Sequence, residues 1–136
     1  MRPGVVLDTN VVLEWLLRER PTPVGEAATA LLPTADLFGP RQLWSEATTG
    51  ILKREREGAL TAEQRVEALA TLDALHIRYD PFVDGDQQTL LLLASTHRLT
   101  IYDALFLEVV LRRRSSLATN DSALRRAAEA EGVPLV

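Results

Sequence analysis

The sequence predicts an α/β domain with a parallel β-sheet covered by helices on both faces. Three observations point there. Short apolar runs alternate with longer segments whose apolar residues recur at helical spacing. Breaks at Pro21-Thr22-Pro23, Gly39-Pro40 and Gly58 punctuate those segments. No internal linker or low-complexity stretch interrupts the 136 residues, and a chain of that length, 46% hydrophobic, buries one sizeable core but hardly two. Residues 1–136 are therefore expected to form a single domain.

Taken in order, Val5 to Leu7 reads as a first strand and Asn10 to Arg18 as a helix ended by the Pro21-Thr22-Pro23 break. A second helix covers Val24 to Leu32. Leu37-Phe38 is a short strand before Gly39-Pro40, and Gln42 to Glu57 a long helix stopped by Gly58. Thr61 with Gln64 makes a capping box for a helix over Ala62 to Leu75. His76 to Tyr79 reads as a strand and Asp80 to Asp86 as a turn-rich connection. Helices follow over Gln87 to Arg98 and Tyr102 to Arg113. Leu117 to Thr119, Ser122 to Glu131 and Val133 to Val136 complete the pattern as strand, helix, strand.

Composition removes several kinds of chemistry. There is no Cys, so disulfides, thiol catalysis and zinc–thiolate sites are excluded. No N-terminal stretch combines a basic flank, an apolar centre and a small-residue cleavage site, and no apolar run is as long as a bilayer span, so a cytoplasmic chain with no membrane partner is expected. A net charge of −4 argues against a generally basic nucleic-acid binder but leaves local patches open. Arg forks match phosphate oxygens, so the Arg112-Arg113-Arg114 run and the Arg54, Arg56 pair are candidates to face a phosphodiester backbone; solvated helix faces are the plainer account of each.

Most acidic residues have ordinary explanations. Glu55, Glu57, Glu63, Glu67, Glu129 and Glu131 lie among other charges on helix faces. Asp84-Gly85-Asp86 is turn chemistry and not a cation loop, because the rest of a calcium-loop spacing is missing. His76 and His97 share no ligand spacing.

Four carboxylates resist such explanations. Asp8 interrupts the apolar stretch "GVVLDTNVVLEWLL", where an unpartnered carboxylate is costly to bury. Asp8 and Asp121 both follow a strand and precede a helix, so parallel strands bring them to the same sheet edge, the edge where open α/β sheets bind ligands. Either alone is better read as a helix N-cap that offsets the helix dipole. Asp103 starts a helix with Phe106, Leu107 and Val110 on the same face. Glu46 has Leu43, Thr49 and Gly50 around it and no opposite charge at helical spacing. A divalent cation would keep all four ionised together. Mg²⁺ takes oxygen ligands and keeps several waters, and such a site suits phosphodiester hydrolysis. The acidic excess of the chain equals these four residues.

The segments "VVLDTNVVL", "SEATTGILKRE", "TIYDALFLEVVL" and "LATND" resemble, in that order and over essentially the whole chain, the PIN-domain ribonucleases, and within them the small VapC-type toxins of toxin–antitoxin pairs. The resemblance implies a PIN-like three-layer sandwich whose carboxyl edge holds Mg²⁺ or Mn²⁺ and cuts single-stranded or looped RNA. It implies Asp8 and Asp103 as principal metal ligands, Glu46 as the third acid and Asp121 as the fourth, acting through water. Thr9, Asn10 and Thr119 are implied as groups that orient those acids. A homodimer and a cognate antitoxin blocking the site are implied as partners.

Two other enzyme classes begin with an Asp after an apolar strand. A haloacid-dehalogenase-like phosphatase has a second Asp two residues on, where this chain has Asn10, and needs a late Lys; a phosphoacceptor receiver fails likewise, because Lys53 lies mid-chain inside a helix. A catalytically inactive PIN-like module that binds RNA or a partner is the non-enzymatic alternative.

Overall fold

The computed structural model describes residues 2–81 and 87–136. The Asp84-Gly85-Asp86 turn and most of the connection after Asp80 lie outside the described residues. The elements run β1 (Gly4–Leu7), α1 (Thr9–Leu16), α2 (Pro23–Leu31), β2 (Asp36–Pro40), α3 (Arg41–Arg56), α4 (Ala62–Ala74), β3 (Arg78–Asp80), α5 (Gln87–His97), α6 (Ile101–Arg113), β4 (Ser116–Ala118) and α7 (Ser122–Ala130). The helix starts follow local chemistry. Thr22 caps α2 with Pro23 at its first position, Thr61 and Gln64 form the reciprocal capping box of α4, and Thr100 accepts the Asp103 N–H at the start of α6. Beyond the end of α3, Gly58 takes φ +77, a left-handed turn that only glycine adopts cheaply.

All four strands are parallel, in the order β3-β2-β1-β4. From β1 the chain steps outward to β2 and β3, then crosses back to place β4 on the other side of β1. Right-handed crossovers put the helices of the outward steps on one face and those of the return on the other. Accordingly α1, α2, α3 and α4 pack against one another, while α6 packs with α5 and α7. The core lies between these layers and the sheet, with Val6, Leu7, Val11, Leu43, Leu107, Val110 and Leu117 shielded from solvent. Among the described residues no single helix is long and apolar enough to cross a membrane.

Two sequence expectations need correction. His76 is not in a strand: it takes φ +49 just past the end of α4, and β3 begins at Arg78. The C-terminal segment Val133 to Val136 is not a full strand either. It meets β4 through one parallel bridge, Leu117 to Leu135, where Pro134 lends its carbonyl to the Leu117 N–H at 2.9 Å but has no N–H to return.

The arginine run is likewise not a phosphate-binding patch in its first two members. Arg112 donates to both Glu108 (2.7 Å) and Asp80 (3.0 Å), and Arg113 donates to Asp80 and lies 4.4 Å over the Phe38 ring. Arg114 turns the chain out of α6 with φ +50. Arg54 is held by Glu19 at 2.7 Å, while Arg56 is exposed. Asp80 is only 6% exposed, and its two arginines hold its carboxyl below the usual range. Asp80→Ala removes the carboxylate that Arg113 holds and leaves Arg112 with Glu108 alone; because both guanidinium groups are more than a third exposed, we expect a loss of about 1 kcal/mol. Thermal unfolding checks this: a variant melting with wild type would show that these ion pairs hold nothing together.

Candidate metal centre

The sheet order reverses between β1 and β4, and the crevice at the carboxyl ends of these two strands is where an open α/β sheet leaves room for a ligand. Asp8 follows β1 there directly. Its backbone N–H continues the sheet by donating to the Ala118 carbonyl at 2.9 Å, which fixes the side chain at the crevice. The carboxylate is 6% exposed and accepts three hydrogen bonds: from the Thr9 N–H (2.8 Å), the Asn10 amide (2.9 Å) and the Thr119 hydroxyl (2.6 Å). These bonds favour ionisation. Burial outweighs them, with Asp103 and Glu46 adding repulsion, and pushes the carboxyl up to about 6.

The other three acids arrive from different elements. Glu46 sits in the second turn of α3, half-buried, and accepts a hydrogen bond from the Gln42 amide one turn earlier. Asp103 lies in the first turn of α6, half-buried above the shielded Phe106 and Leu107. Burial raises both carboxyls; Asp103 adds to the rise at Glu46, and Asp121 adds to that at Asp103. Asp121, after β4, commits Oδ1 to the Leu124 N–H at 2.8 Å and so does cap α7. Asp8 makes no comparable cap, because its contact is to the first helical N–H and not to one deeper in α1.

The fold thus brings Asp8, Glu46 and Asp103 within electrostatic reach of one another, and Asp121 within reach of Asp103. None of them takes part in the ion pairs formed among the described residues. As they stand, no three acidic or His side chains among the described residues are drawn close enough to cage one ion. The donor set nonetheless fits a hard divalent cation: every available group is a carboxylate oxygen, and the repulsion has no countercharge. Thr9 supplies a further sign. Its hydroxyl is buried, lies near enough to Glu46 to favour that carboxylate's ionised form, and makes no hydrogen bond of ordinary geometry.

Thr119 and Asn10 tie the crevice together. The Thr119 hydroxyl donates to Asp8 and accepts the Asp121 N–H at 3.0 Å, so one side chain orients acids on both sides of the switch. Asn10 donates to Asp8 and accepts the Asn120 N–H at 3.1 Å. Sequence reasoning missed three supporting residues. Gln42 is one, legible from its i, i+4 spacing to Glu46. Asn120 is another; its amide reaches Thr22 at 3.1 Å, across 98 residues of chain. The third is Glu14, buried in α1, which accepts the Thr22 N–H at 2.6 Å. Its carboxylate occupies the space where any side chain on Gly25 would go, 1.4 Å from an added Cβ, so the glycine in α2 was the available signal. A cleft of about 700 Å³, lined by Arg41, Trp44, His76 and Tyr79 among others, contains none of the four acids.

Comparison with known proteins agrees with this architecture. In structure the chain resembles the crystal structure of PAE2754 from Pyrobaculum aerophilum, 16% identical, with a TM-score of 0.65 over 100% of this chain and 91% of that one. No curated protein matches it in sequence. The family model of the PIN domain matches residues 5–130, and the chain therefore belongs to the PIN domain family, whose members are as a class metal-dependent nucleases.

Proposed function

We propose that this single-domain protein is a Mg²⁺- or Mn²⁺-dependent endoribonuclease that hydrolyses phosphodiester bonds of single-stranded or looped RNA. The observation that carries the reading is the convergence of Asp8, Glu46, Asp103 and Asp121 near the sheet's switch point, with no Lys, Arg or His paired to them among the described residues. Asp8 and Asp103 would hold the metal directly, with Glu46 beside them and Asp121 acting through water. The bound ion would supply a water of lowered pKa and a countercharge to the phosphate. The chain's own part is to position. The hydroxyl of Thr119, the amide of Asn10 and the N–H of Thr9 fix both oxygens of Asp8, so a substrate phosphate meets a site already oriented. Incubating the purified protein with a mixed RNA pool, with Mn²⁺ or Mg²⁺ or with EDTA, tests the reading. Metal-dependent cutting is expected; RNA bound but never cut would favour the inactive module.

The toxin role belongs to the same proposal: a homodimer in the cytoplasm, held in check by an antitoxin whose inhibitory segment brings an Arg or Lys into the carboxylates. Such a segment competes with metal, so its binding is expected to weaken as Mg²⁺ rises. A titration in which affinity ignores Mg²⁺ counts against this mode of inhibition.

A further inference from the structure

We propose that the groove opening beside Glu46 seats one nucleobase of the strand being cut, stacked on the ring of Tyr102. This inference rests on the nuclease reading. The groove is shallow and open to solvent, about 500 Å³ in volume, and is lined by Leu13, Gln42, Glu46, Thr49, Gly50 and Tyr102, among others. Three features point to a base.

The first is continuity. Glu46 belongs both to the carboxylate cluster and to the groove wall, and Tyr102 directly precedes Asp103. A phosphate held at the carboxylates therefore leaves the neighbouring nucleoside within reach of the groove.

The second is the ring itself. Tyr102 is 66% exposed in the first turn of α6, although Phe106, one turn on in the same helix, is shielded completely enough to be 1% exposed. A large aromatic face left uncovered beside a candidate phosphate site is a stacking platform, because every base offers a π-face to it.

The third is the lining. Gly50 leaves one wall flat: a Cβ there would come 2.8 Å from Leu13 Cδ2, so the bare backbone is what lets Leu13 pack against α3 at this point. Gln42 and Thr49 add neutral hydrogen-bonding groups, and among the described residues Glu46 is the only charged one lining the groove. Inside the groove, away from the position proposed for the metal, a second phosphate would meet Glu46 without a countercharge, whereas a neutral base with apolar faces and polar edges is not repelled. The volume suits a single compact group, not the length of a protein helix.

The test compares wild type with Tyr102→Phe and Tyr102→Ala on a short single strand carrying 2-aminopurine at successive positions. With wild type, fluorescence is expected to be quenched at one position next to the cut bond. Tyr102→Phe should keep that quench. Tyr102→Ala should lose it and raise KM roughly tenfold or more, with kcat changed far less, the cost of removing one stacked base. The melting temperature of Tyr102→Ala should match wild type, since the ring is mostly in solvent. Wild-type KM and quenching in Tyr102→Ala would overturn the proposal. So would normal cutting combined with lost affinity for a protein partner, which would give the groove to that partner. Because quenching is read with or without cleavage, a wild-type protein that stacks the base but cuts no strand refutes the nuclease reading and leaves the groove assigned.

Discussion

Asp8→Asn and Asp103→Asn should each reduce metal-dependent RNA cutting by more than about 100-fold while leaving a folded protein. Replacing groups that merely orient a metal ligand commonly costs 10- to 100-fold, and a direct carboxylate ligand contributes more than its supports do. Asn keeps the shape and removes the charge. At position 8 it also retains an oxygen for the Thr9 N–H, and at position 103 the Thr100 cap is made through the backbone and is untouched. Asp121→Asn should be milder. Asn caps helices as well as Asp, so the Leu124 N–H keeps its acceptor, and a ligand acting through water contributes less. Cleavage assays beside circular dichroism decide it. Wild-type cutting by either Asp8→Asn or Asp103→Asn would remove the assignment, and an Asp121 variant more damaged than both would reverse the order of importance.

The second large effect links acidity, metal and stability. With its carboxyl raised from 3.8 to about 6, Asp8 favours the folded state fully below pH 3.8, and that contribution is lost as pH rises through 6. The shift corresponds to about 3 kcal/mol, of order 10 °C in melting temperature for a chain of this size. Glu46 and Asp103 are raised too and act with the same sign. Asp80 has the opposite sign, but its carboxyl lies below 3.8, so its effect falls at lower pH. In EDTA, stability should therefore decline between about pH 4 and 6, the window set by Asp8, with Glu46 and Asp103 adding in the same direction. Saturating Mg²⁺ or Mn²⁺ binds the ionised form and should remove the decline, with affinity falling about tenfold per pH unit below 6 as protons compete. Asp103→Asn should melt above wild type in EDTA at neutral pH and gain less from metal. Melts in EDTA that rise steadily from about pH 4 to 6, or an Asp103→Asn protein less stable than wild type and equally responsive to metal, would make these acids structural.

What the sequence disclosed, it disclosed through local pattern. Asp8 and Asp121 could be placed because each stands one or a few residues beyond an apolar run, and Glu46 because its helix offers it no opposite charge. Buried acids whose partners are distant in sequence stayed hidden. Asp80 reads as the start of a turn, yet it closes β3 and is held by arginines 32 and 33 residues later. Glu14 and Glu108 are as buried as Asp8, one satisfied by a backbone N–H and the other by Arg112. The match between the acidic excess and the four site residues therefore had no power to select them, since burial and pairing, not the charge count, separate them from these others. His76 misled because a left-handed turn is usually marked by Gly, and here a histidine makes it.

The reversal of strand order also sets when the centre can exist during synthesis. β1 is the first strand made and β4 the last, yet β4 supplies the Ala118 carbonyl that accepts the Asp8 N–H and the Thr119 hydroxyl that orients its carboxylate. Until residue 119 has left the ribosome, Asp8 has no neighbour on that side. The nascent chain therefore carries three of its four acids without the geometry that groups them, and the centre closes only as the final strand slides in beside the first. If the finished protein cuts RNA as proposed, its nascent chain would in this way be harmless to the transcript and the ribosome that are making it.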